Sequence, residues 1–77
     1  MKKLSLVQMH NKQRGRISEV IGGKAMQHKL MSMGVFPGRE VIKLSQFLMK
    51  GPVAIRVGRS VVALGYGMAS KINVEVE

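Results

Sequence analysis

Seventy-seven residues with no cysteine, thirteen Lys plus Arg and four Glu form a chain of formal net charge +9. A chain this short hides only about 60% of the surface it exposes when unfolded, so one domain spanning residues 1–77, with one modest core, is the expectation. The missing cysteines exclude disulfide staples, zinc ribbons, thiol nucleophiles and iron–sulfur ligation, while the charge favours a negative partner: nucleic acid, anionic lipid or an acidic protein.

The opening MKKLSLVQMHNK carries two lysines, but Ser5, Gln8 and His10 interrupt the apolar run before it reaches signal-peptide length. No stretch approaches the ~20 apolar residues that span a bilayer. A soluble, cytoplasmic protein with no membrane insertion is the expectation. Leu4 to Met9 is a short apolar stretch, followed by a basic turn, HNKQRG. The basic residues are densest here (Lys2, Lys3, Lys12, Arg14, Arg16) and otherwise spread along the chain.

Arg16 to Ile21 alternates as a half-buried strand should, and Gly22-Gly23 ends it. Lys24 to Met33 contains no Pro or Gly and places Met26, Leu30 and Met33 on one stripe at spacings of four and three, which predicts a helix. So short a helix needs a sheet to lie on. Gly34 is the residue expected just past its end, and Phe36-Pro37-Gly38 reads as a tight turn.

Glu40 to Phe47 then reads as a strand, Leu48 to Gly51 as a loop, and Pro52 as a strand opener whose missing amide does least harm there. Val53–Val57 and Val61–Leu64 form a hairpin around Gly58-Arg59-Ser60. Met68–Lys71 suffices for one helical turn, and Ile72–Val76 alternates as a terminal strand. Five short strands, one helix and frequent glycines describe a small, strongly bent barrel or sandwich. Seven methionines against three aromatics (Phe36, Phe47, Tyr66) point to an aliphatic core filled by flexible thioethers.

Residues for chemistry are sparse. Glu19, Glu40, Glu75 and Glu77 show no paired spacing, the serines sit in no nucleophile elbow, and His10 and His28 have no triad partners. The same two histidines, without Cys or Asp, make a poor metal-ligand set. Gly22-Gly23-Lys24 lacks the spacing of a nucleotide loop. Three scattered rings form no stacking platform for nucleic acid, so only weak, salt-sensitive binding is expected from the charge. An enzyme, a resident metal, a cofactor and a specific nucleic-acid partner are therefore not expected.

The run Lys29-Leu30-Met31-Ser32-Met33-Gly34-Val35-Phe36-Pro37-Gly38-Arg39-Glu40-Val41 resembles the Arg-Leu-x-x-Met-Gly-aliphatic-x-Pro-Gly-x-x-Val signature of the ferrous iron transport protein A family, FeoA. Arg14-Gly15-Arg16-Ile17, Gly51-Pro52-Val53 and Val62-Ala63-Leu64 with Ala69, Ile72 and Val74 extend the resemblance from Leu6 to Val74. Lys29 stands where Arg is usual, Lys12 where Gly is common and Gly65 where Arg often follows the Ala-Leu pair. The two lost arginines remove bidentate forks, since Lys is a point charge.

The resemblance implies a mainly β, SH3-like small barrel with one or two short helices. It also implies a non-enzymatic accessory of bacterial ferrous iron uptake that binds or regulates the FeoB permease through its cytoplasmic GTPase region. A partner-docking corner is expected at Lys29, Met31, Phe36 and Arg39. The alternative reading is a basic SH3-like module that binds nucleic acid or another protein and is unrelated to iron transport.

Overall fold

Val53, Ile55 and Val57 in one strand, and Ile72, Val74 and Val76 in another, turn every second side chain inward, and this period of two organises the architecture. The computed structural model describes residues 1–77. It contains β1 (Lys2–Ser5), β2 (Arg14–Val20), α1 (Lys24–Ser32), β3 (Glu40–Gln46), β4 (Val53–Val57), β5 (Ser60–Leu64), α2 (Tyr66–Ala69) and β6 (Ile72–Val76). The six strands form one antiparallel sheet in the order β1-β6-β2-β3-β4-β5. Register shifts between Ile17 and Glu19 in β2, and between Lys43 and Ser45 in β3, bend the sheet around its own inner face. Fourteen apolar side chains fill that interior, among them Leu6, Ile17, Leu30, Val41, Ile55, Ile72 and Val74.

The sixth strand, β1, carries little strand signal in its own residues, KKLS. It exists because Lys2 to Ser5 pair with Val76 to Asn73 of β6, a contact that joins the two ends of the chain. β2 begins at Arg14, two residues before the expected start, because Arg14, Gly15 and Arg16 lie opposite Ile42, Val41 and Glu40 of β3. Gly15 is required here: a Cβ would meet the Glu75 carbonyl oxygen at 2.9 Å as well as the Val74 and Val76 side chains.

Helix α1 buries Leu30 and packs Met26 and Met33 against the core, as its stripe predicts. Its end is a Schellman motif. The Gly34 N–H donates to the Met31 carbonyl (2.9 Å), the Val35 N–H donates to the Leu30 carbonyl (2.9 Å), and Gly34 takes φ +85. Val35 and Leu30 are both buried, which supplies the apolar contact that seals such an end. The chain then turns at once. Arg39 N–H donates to Phe36 O (3.2 Å), with Pro37 and Gly38 (φ +92) in the central positions that suit them. Gly38 N–H to Ile17 O (2.7 Å) and Ile17 N–H to Arg39 O (2.9 Å) tie this turn to β2 at its bulge.

In β3 the inward positions are Val41 and Lys43, so a lysine occupies a core site at 2% exposure. Its Nζ donates to the carbonyls of Val7 (3.0 Å) and Met9 (2.7 Å) and to Gln46 Oε1 (2.6 Å), which uses all three ammonium hydrogens. Backbone bonds from Lys12 N–H to Lys43 O and from Lys43 N–H to Gln13 O add to the attachment. The segment between β1 and β2, which has no regular structure, is thereby fastened to the sheet.

A candidate docking groove on the outer face of the sheet

Because Val41, Lys43, Val53, Ile55 and Val57 point inward, the alternate residues of β2, β3 and β4 point outward together. The register aligns Arg14 with Ile42 and Ile42 with Arg56, a row that runs across three strands with two guanidinium groups flanking one aliphatic side chain. Arg16 and Glu40 form the next row, with Arg16 Nη2 4.0 Å from Glu40 Oε2 in an exposed pair. Such a pair stabilises little in water.

The turn that follows α1 closes one end of this surface. The Arg39 guanidinium carbon lies 5.5 Å from the centroid of the Phe36 ring, within cation–π range. The same guanidinium covers Gly58, where any Cβ would collide with it, so the glycine of the β4–β5 hairpin makes room for an arginine of the α1–β3 turn. Phe36 and Arg39 are both half-buried.

These residues line a groove of about 650 Å³ whose walls are Arg14, Arg16, Phe36, Arg39, Glu40, Ile42 and Arg56. Four guanidinium groups there face one carboxylate. Beyond Arg14 and Arg16 the surface continues into a hollow of about 430 Å³ that Glu75 and Glu77 help to line, so the net positive character is concentrated on the Arg39–Arg56 side. A groove with planar bidentate donors around Phe36 and Ile42 suits a carboxylate-bearing segment that also carries apolar side chains. No three His, Cys, Asp or Glu side chains come together anywhere as a ligand set for a metal ion.

Of the four residues expected at the docking corner, the structure brings Phe36 and Arg39 together. It leaves Lys29 and Met31 on the exposed surface of α1, outside the groove lining. Arg14, Arg16 and Arg56 join instead. In the sequence the first two are part of the basic N-terminal group and Arg56 is an isolated polar residue in an apolar strand. Only the cross-strand register makes them neighbours.

The FeoA domain model matches residues 4–76. The chain belongs to the FeoA family. That family is associated with ferrous iron transport, and no catalytic family matches the chain. Among solved structures, the crystal structure of an iron uptake regulatory protein (FeoA) is 31% identical, covers 97% of each chain and superposes with a TM-score of 0.86. The NMR structure of an FeoA-like protein from Clostridium acetobutylicum is 25% identical, covering 99% of this chain and 88% of that one with a TM-score of 0.83.

A manganese-dependent transcriptional repressor matches 97% of this chain with 42% of its own, at 17% identity and TM-score 0.88. That likeness is one of fold alone. The fold of this FeoA protein is thus the expected mainly β, SH3-like barrel, with six strands and two short helices. No curated protein sequence matches it. No helix is long and apolar enough to cross a membrane.

Proposed function

We propose that this FeoA protein is a cytoplasmic, non-enzymatic accessory of ferrous iron uptake that binds the FeoB permease through the permease's cytoplasmic GTPase region. The observation that carries the reading is the groove: Arg14, Arg39 and Arg56 converge around Phe36 and Ile42 with Glu40 as the one acid, on a chain of the FeoA family. An acidic segment with an apolar anchor would meet both features, with charge setting approach and orientation and the anchor slowing dissociation. Iron itself is the cargo of the permease in this scheme. Lys29 and Met31 on α1 would then lie outside the primary contact.

Calorimetric titration of the protein against the cytoplasmic GTPase domain of its cognate permease at physiological salt, with and without a nonhydrolysable GTP analogue, tests the reading. Saturable binding that Arg56→Glu weakens by roughly tenfold or more is the expected result, because a reversed charge repels the segment that the native one attracts. Unchanged affinity in that variant would overturn the groove as the contact. Absence of binding in both nucleotide states would overturn the GTPase region as the partner.

A further inference from the structure

The hairpin between β3 and β4 ends in Phe47-Leu48-Met49-Lys50, a tip that the packing of the barrel does not explain. Phe47 is 71% exposed, Leu48 88% and Met49 96%. Single exposed apolar residues are ordinary, but three in succession on a turn form a patch. Closure of the turn does not need those side chains, since the Phe47 N–H donates to the Pro52 carbonyl (3.1 Å) through backbone alone.

The backbone of the tip is also unfavourable for the residues it carries. Met49 (φ 63) and Lys50 (φ 60) are consecutive non-glycine residues in the left-handed region, where glycine or asparagine is the usual occupant. The tip is therefore out of keeping with the demands of folding in both its side chains and its backbone. Lys50 keeps a cation beside the apolar residues, its Nζ 5.9 Å from the centroid of the Tyr66 ring. The acids lie elsewhere: Glu40 opens β3 at the end opposite the tip, Glu19 accepts a hydrogen bond from Asn73 Nδ2, and Glu75 and Glu77 are at the end of the chain.

We propose that this tip is a contact for an anionic lipid surface. Phe47, Leu48 and Met49 enter the boundary between headgroups and acyl chains while Lys50 meets the anionic headgroups, and the +9 net charge of the chain draws it to the anionic surface from a distance. Interfacial binding needs these two features side by side, because partial apolar insertion and electrostatic attraction are each weak alone. A pocket in a protein partner would take the same apolar residues without requiring the charge. The tip crosses nothing, and none of its residues lines the arginine groove.

The test is cosedimentation of the intact chain with vesicles of phosphatidylcholine alone and of phosphatidylcholine mixed with phosphatidylglycerol. Binding to the mixture should exceed binding to the neutral vesicles, fall as salt rises, weaken with Lys50→Glu, and weaken by roughly tenfold or more when Phe47, Leu48 and Met49 are all changed to Ser. Because the chain has no tryptophan, Phe47→Trp supplies a single emission reporter, which should shift to the blue on the mixed vesicles alone. No binding to the mixed vesicles, binding that the triple serine variant retains, or an unshifted reporter would overturn the proposal. Loss of permease binding by the triple serine variant, with no vesicle binding by the native chain, would overturn it in favour of a protein pocket.

Discussion

Replacing Lys43 by Met tests whether a buried ammonium group held by carbonyls stabilises this barrel or burdens it. The thioether fills about the same volume but donates nothing, so the carbonyls of Val7 and Met9 and the amide oxygen of Gln46 lose bonds of 3.0, 2.7 and 2.6 Å. An orphaned buried acceptor costs about 1 to 3 kcal/mol. The Met9 contact is buried and bears that cost in full, whereas the other two are partly buried and water can replace some of the loss. Against this stands the relief of desolvating a charge, which already holds the Lys43 pKa below the usual lysine value.

The net expectation is a destabilisation of about 2 to 4 kcal/mol. For a domain of this size that lowers the thermal midpoint by roughly 10 to 25 °C, measured by circular dichroism. Amide exchange of Met9 to Gln13 should rise as well, because the segment loses its anchor. The pH dependence has a definite sign. A folded pKa below the unfolded one means that the unfolded chain binds more protons between the two values. Native stability should therefore rise with pH across that interval, up to the ordinary lysine pKa of 10.5, and Lys43→Met should lack this component. A Met variant as stable as the native protein at neutral pH would refute the reasoning, since desolvation would then match or outweigh the carbonyl cage.

Gly15→Ala should cost about 1 to 3 kcal/mol by chemical denaturation, since the added Cβ overlaps the Glu75 carbonyl and two core valines; an unchanged midpoint would mean that β2 and β6 can separate without loss. Gly34→Ala has room, with its nearest neighbour Val57 Cγ2 at 3.7 Å, so its expected cost of about 1 to 2 kcal/mol comes from the φ of +85 alone. Gly34→Asn, which tolerates that conformation better, should recover part of the loss in the same melts. The permease contact should persist at physiological salt, whereas binding to nucleic acid should weaken steeply between low and physiological salt; the reverse ranking in parallel titrations would favour the nucleic-acid reading.

Local signals along the chain set most of the elements of this protein. The Met26–Leu30–Met33 stripe defines α1, Gly34 and Pro37-Gly38 define its end and the turn, and the alternation of Val53–Val57 and Ile72–Val76 defines two inward faces, because each depends on spacings of a few residues that helix and strand geometry read directly. Family membership is legible in the same way, from the run between Lys29 and Val41. What the tertiary structure decided is everything that depends on which strands lie side by side. β1 is a strand only because β6 accepts it, and Lys43, in phase with the inward Val41, is tolerated in the core only because the carbonyls of Val7 and Met9 can hold its charge. The groove gathers Arg14, Arg39 and Arg56 from three separate parts of the chain and leaves out Lys29 and Met31, which are nearer in sequence to Phe36 than Arg14 or Arg56. Register across a sheet couples residues tens of positions apart, and no local pattern carries that information.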